Sequence, residues 1–198
     1  PSMDTIKFVR LPSGELSCES SELLPEQVVA TIGVFDGVHG GHRFLIEQLK
    51  HEAQRLRLPS AVITFDTPPV MVVRPDHPFE KLNSNTEREQ LLAKTGVDFL
   101  FLLPFDWALA ALSAEEFFRH IITRQLHVRT LLMGYDHHFG RPPKAGDPPT
   151  DYKSLGEKWG VRVLPQEPFF DKKEGKPYSS SRIRKLLRAD NLSLANQL

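Results

Sequence analysis

Two histidines, His39 and His42, stand three residues apart in the run ATIGVFDGVHGGHRFLIEQLK, residues 30–50. Gly33, Gly37, Gly40 and Gly41 crowd around them. An apolar run precedes and a helical pattern follows, so the pair lies where a strand turns into a helix. The first turn of a helix has unpaired N–H groups and a partial positive charge. Glycine lets an anion come close to that backbone. Imidazoles add directed donors that can follow charge as it moves during a reaction. Together these suit a phosphate undergoing chemistry. A tight turn is the plainer reading, since Asp36-Gly37 is a common turn pair. Zinc ligation is a third, but no nearby carboxylate or cysteine set completes a tetrahedral site. His137 and His138 are adjacent, and adjacent side chains rarely point the same way.

A second constellation is SSSRIR, residues 179–184. Three hydroxyls precede a helical pattern that carries Arg182 and Arg184. Lys172, Lys173, Lys176, Lys185 and Arg188 lie close by, against only Asp171 and Glu174. A capped helix with solvated arginines is the plain reading. A local basic bias also suits a polyanion such as a triphosphate, gripped between two helix N-termini.

The elements that must position these groups follow from periodicity and caps. Apolar runs predict strands at 28–35, 60–65, 97–105, 128–134 and 161–166, with a further short strand at 6–10. Leu45, Leu49, Ala53 and Leu56 recur at helical spacing after His42. Thr86 with Glu89, and Ser113 with Glu116, read as capping boxes opening two more helices. Residues 151–160 read as a short helix and 179–198 as a terminal one. Strand–helix alternation predicts an α/β, Rossmann-like fold: a mostly parallel five-stranded sheet with helices on both faces. On such sheets ligands bind beyond the carboxyl ends of the strands. The histidine run, FDTPP, PFDW and GYDHHFG all fall at such ends and outline one cleft.

The 198 residues suffice for one domain, or one domain with a modest appendage. Acidic and basic residues balance at 25 each, which favours neither nucleic acid nor a membrane surface. The single cysteine, Cys18, forbids an intrachain disulfide and fits a cytoplasmic protein. No apolar run approaches the ~18 residues of a membrane span, and no signal-peptide pattern opens the chain.

The motifs carry a resemblance. The run from Gly33 to His42 matches Gly-x-Phe-Asp-Gly-Val-His-x-Gly-His, and residues 179–184 match Ser-Ser-Thr-Arg-Ile-Arg with serine for threonine. TGVD, LSAEEF and GYDHHFG fall between them in the expected order. From about residue 28 onward the chain resembles the FMN adenylyltransferase module of bacterial bifunctional riboflavin kinase/FAD synthetases, within the His-x-Gly-His nucleotidylyltransferases.

The resemblance implies transfer of AMP from ATP to FMN, giving FAD and pyrophosphate, by direct attack of the FMN phosphate. It implies that His39, His42 and Arg182 act on the triphosphate. Nucleotide binding would fall to Gly33, Phe35, Asp36, Gly41, His42, Ser179, Ser180, Ser181 and Arg182. Phe65, Asp136 and Phe139, at or just past strand ends, are the candidates to border the flavin; the plain reading of both phenylalanines is core, and Asp136 suits either the acceptor or the ribose of ATP. Magnesium would arrive with ATP, without a dedicated protein ligand. The partners expected are these small molecules, with a riboflavin kinase domain or protein beside them. Residues 1–27 are expected to pack on a domain spanning 28–188. Residues 189–198 resemble the helix leading into the kinase domain, so no riboflavin phosphorylation is expected of these residues.

Two segments depart from the pattern. The family usually reads Phe-x-Pro-His-Pro where this chain has Phe65-Asp66-Thr67-Pro68-Pro69. His137 stands where phenylalanine is general. Both lie on the acceptor side. The alternatives are a nucleotidylyltransferase with another phosphorylated acceptor, or a weakly catalytic nucleotide- or flavin-binding module.

Overall fold

The computed structural model describes residues 2–35, 40–67, 69, 72, 76, 84–134 and 137–166. The predicted helix over 179–198 lies outside them.

The apolar runs do become strands. In chain order the elements are β1 (Asp4–Arg10), β2 (Leu16–Cys18), β3 (Val28–Ile32), α1 (Gly40–Leu56), β4 (Ser60–Phe65), α2 (Asn85–Ala93), β5 (Phe99–Leu103), α3 (Trp107–Ala110), α4 (Ala114–Glu116), β6 (Val128–Met133), α5 (Tyr152–Lys158) and β7 (Arg162–Pro165). The single turn of α4 continues as a wider π-helical stretch, Phe117–Gln125. The strands form one sheet in the order β2-β1-β5-β4-β3-β6-β7. Among the described residues only the β1–β2 pair is antiparallel.

Among the described residues the sheet thus has seven strands, where the sequence predicts five and a short sixth. Ile6 and Phe8 of β1 are buried, and β1 pairs with β5 in parallel, so the N-terminal segment is part of the sheet. β2 is three residues long, too short to show a period. The predicted capping box at Thr86 and Glu89 is corrected by two residues. Ser84 caps α2, accepting from the Glu87 N–H while the Glu87 carboxylate accepts from the Ser84 N–H. The Ser113–Glu116 box forms as predicted.

Each face of the sheet has its own core. Along β3, Val28, Ala30 and Ile32 face one layer and Val29 the other, as the strand period of two requires. The first layer holds Phe117, Phe118, Ile121 and Ile122 of the π-helical stretch. The second holds Leu45, Ile46, Leu49 and Ala53 of α1 with Leu92 of α2. Helices therefore cover both faces, and both faces of β3 and β4 are buried along their length.

Strand order locates the ligand crevice. From β3 the chain builds outward through β4 and β5 on one side, then crosses to add β6 and β7 on the other. β3 and β6 are neighbours whose following connections run in opposite directions. That is a topological switch point, and ligands of open α/β sheets bind outside the carboxyl ends of the strands there.

Candidate functional site at the switch point

The end of β3 is built for close packing. The Gly33 N–H donates to the Ile63 carbonyl at 3.0 Å, carrying the β3–β4 ladder past the strand. A Cβ on Gly33 would lie 2.8 Å from the Phe35 ring, so only glycine leaves that ring its place. Phe35 has φ of 54°, in the left-handed region that a bulky side chain rarely adopts, and its ring is 1% exposed. The Phe35 ring lies 4.9 Å from the His42 ring, tilted by 52°. His42 stands half-buried in the first turn of α1, and that turn has no acidic residue. Gly41 lies in the same turn. Gly33, Phe35 and His42 are thus brought together. Asp36 and His39 lie outside the described residues, as do Ser179, Ser180, Ser181 and Arg182.

Polar bonds reach this loop from below. Arg88, on α2, donates from Nη1 to the Val34 carbonyl at 2.8 Å and from Nη2 to the Phe65 carbonyl at 2.6 Å. Thr64 Oγ1 donates to the same Val34 carbonyl at 3.0 Å. Sequence reading missed both residues. The available signal was a charged residue four before Leu92 on the buried stripe of α2.

Beyond β4, Asp66 serves structure. Its Oδ1 accepts from the Phe105 N–H at 3.1 Å, and its carbonyl accepts from Asn85 Nδ2 at 2.9 Å. In PFDW, Asp106 pairs with Arg10 and caps α3. Burial pushes the Asp106 carboxyl up, but Arg10 and the Leu109 N–H outweigh it and hold the group below its ordinary value. Trp107 beside it is 64% exposed.

The end of β6 is closed by rings. Phe139 packs on Phe117, Phe118 and Tyr152 with centroids 5.1, 5.1 and 4.8 Å away. The Tyr152 hydroxyl accepts from the Phe139 N–H and donates to the Phe139 carbonyl. Gly140, at φ of 82°, passes so close to Ala114 that a Cβ would lie 2.5 Å from its nitrogen. His137 places its Nε2 in the interior without a hydrogen-bond partner among the described residues. Burial first, then the neighbouring His138, lowers its pKa from 6.5 to about 4, so the ring is neutral at pH 7.

Phe65 and Phe139, the candidates for the flavin wall, are buried, 4% and 6% exposed. Phe65 meets Phe105 edge-on at 5.2 Å. Their rings already have intramolecular partners: both belong to the core on the face covered by the π-helical stretch. Asp136 lies outside the described residues. Among the described residues no group of three or more His, Cys, Asp or Glu could hold a metal ion, and no helix is long and apolar enough to cross a membrane.

Known proteins share this architecture. The chain is 34% identical over 178 residues to the bifunctional riboflavin kinase/FMN adenylyltransferase of Escherichia coli K12, covering 90% of this chain and 56% of that protein. To the protein of that name from Listeria monocytogenes it is 30% identical over 172 residues, covering 86% and 52%. The chain thus spans about half the length of these relatives. A solved structure from Streptococcus pneumoniae, described as a macrolide-efflux protein, matches with a TM-score of 0.71 and 28% identity over 92% of this chain and 57% of that one. The model of the FAD synthetase family matches residues 21–182, which take in the switch-point loops of both β3 and β6. With most of its length inside that match, the chain belongs to the FAD synthetase family.

Proposed function

We propose that this domain transfers AMP from ATP to FMN, releasing pyrophosphate and forming FAD. A phosphate oxygen of FMN attacks the α-phosphorus of ATP in line. The bond from that phosphorus to the bridging oxygen breaks, and the electron pair leaves with pyrophosphate. The observation that carries the reading is the start of α1. It opens at the switch point, has two glycines and no acidic residue in its first turn, and presents His42 against Phe35.

The N–H groups of a helix's first turn favour a phosphate. His42, held by a ring contact, is a preorganised donor for charge that builds as the bond to pyrophosphate breaks. His39 and Arg182 share this task. Gly33, Phe35, Asp36, Gly41 and the hydroxyls of Ser179, Ser180 and Ser181 bind the nucleotide. Magnesium enters as part of the ATP substrate. The flavin lies toward the β4 and β6 ends, with Asp136 as a polar partner of the flavin or of the ATP ribose and Phe65 and Phe139 supporting that wall. A riboflavin kinase domain, present by name in the relatives, is the partner that would supply FMN. A cytoplasmic setting goes with this use of ATP.

The test is pyrophosphate release with ATP and a panel of phosphorylated acceptors. FMN is expected to be the preferred acceptor. His42→Ala is expected to lower kcat on the order of 10²–10³-fold while ATP affinity stays within a few-fold. Release with another acceptor and none with FMN would overturn the acceptor. Near-normal kcat in His42→Ala would overturn the role of the histidine.

A further inference from the structure

Arg88 is 3% exposed, on the same stripe of α2 as Leu92. A buried guanidinium is costly to desolvate, whereas a leucine fills such a stripe without that cost. What an arginine adds is a planar fork that holds two acceptors in fixed relation. Here the acceptors are the carbonyls of Val34 and Phe65, at the ends of two neighbouring strands. Nη2 also donates to Asn85 Oδ1 at 3.0 Å, which steadies the fork within its own helix.

The Val34 carbonyl lies in the peptide plane that leads into Phe35. Two donors, Arg88 Nη1 and Thr64 Oγ1, pin that plane. Phe35 leaves it at φ of 54°, a direction its backbone would not hold unaided. From that direction its ring reaches His42. A hydrogen bond between α2 and one carbonyl therefore bears on the ring against which His42 packs.

We propose that Arg88 is a positioning residue for the adenylyl transfer. By clamping the Val34 and Phe65 carbonyls it holds Phe35 in its left-handed conformation, and so orients His42 toward the triphosphate. This rests on the reading of His42 given above.

The experiment compares Arg88→Met, Arg88→Lys and Thr64→Val with His42→Ala and Phe35→Leu in the full chain. Turnover is measured per folded molecule, with KM for ATP and the NMR signals of the His42 ring, which lies within the ring current of Phe35. Arg88→Met is expected to lower kcat by about 10- to 100-fold, the scale of a small misplacement of a reacting group, with KM for ATP within a few-fold. Arg88→Lys recovers part of the loss, because an ammonium reaches one carbonyl but not both. Thr64→Val gives a smaller loss in the same direction. In all three the His42 signal moves toward its position in Phe35→Leu.

If Arg88→Met does not fold, the lysine and valine variants carry the test. Full kcat per folded molecule and an unmoved His42 signal in those two would overturn the proposal and leave Arg88 a structural brace. If His42→Ala keeps its turnover, the assignment of the reaction to His42 falls, and the ring signal alone decides on Arg88.

Discussion

At the ends of β3 and β4 the backbone is gripped by directed polar bonds. Arg88 and Thr64 hold carbonyl oxygens, and Phe35 sits in a strained conformation above them. At the end of β6 the chain is held by ring packing: Phe139 lies among Phe117, Phe118 and Tyr152, with His137 at the margin. The first device fixes direction and can aim a side chain. The second fixes volume, and its members are valuable mainly for the space they fill. Damage on the β3 side should therefore appear in turnover, and damage on the β6 side in stability.

The largest expected effect is on the ring-packed side. Phe139→Ala empties the centre of an aromatic cluster and should destabilise the fold by about 3–5 kcal/mol. Urea unfolding measures this. ATP and flavin binding should decline together, in step with the folded fraction. A folded variant that loses flavin alone would break the comparison, because it would return Phe139 to the flavin surface that the sequence pattern suggests.

His137 gives the next effect, and it depends on pH. The unfolded chain takes up a proton near pH 6.5, whereas the folded ring resists until about pH 4. Protons therefore favour the unfolded state across that window. Stability is full above it and falls as the pH drops through it, by at most about 3 kcal/mol at the acid end. Unfolding at pH 7 and pH 4.5 should show the loss in the parent protein, and His137→Phe should remove that share of it. An equal acid loss in the variant would mean that other groups cause it.

The contrast also explains what was legible in the sequence. β3, β4 and β6 announce themselves as apolar runs, and α1 through a period of 3.6. Gly33 marks the close approach of the Phe35 ring to the end of β3. Arg88 acts on a carbonyl 54 residues away, and Thr64 on one 30 residues away. No local pattern encodes such bonds. Phe139 stays ambiguous in the sequence for the opposite reason: an aromatic residue past a strand end suits a ligand wall and a core equally, and its packing on Tyr152 and the π-helical stretch is visible only in the fold. The shifted capping box is a true degeneracy. Ser84 with Glu87 and Thr86 with Glu89 have the same spacing, and only the start of α2 chooses between them.

The two caps supply the smallest and sharpest test. Ser84 and Ser113 each accept from the N–H three residues on, and each receives a glutamate in return. Replacing either with alanine should cost about 1 kcal/mol of stability. The consequences should then part. Ser84 steadies the helix that carries Arg88, so Ser84→Ala should also lower kcat per folded molecule a few-fold. Ser113 steadies the turn leading to Phe117 and Phe118, so Ser113→Ala should leave kcat per folded molecule unchanged. Its cap also has a pH signature. The Ser113 N–H, then its hydroxyl, hold the Glu116 carboxyl below the ordinary range. The contribution is therefore present above the ordinary glutamate pKa and fades as the pH falls through the lowered one. Urea unfolding and turnover, measured on both variants at two pH values, separate these outcomes. If both variants lose turnover equally, the ends of β3 and β6 are one mechanical unit, and the division between an aiming side and a filling side fails.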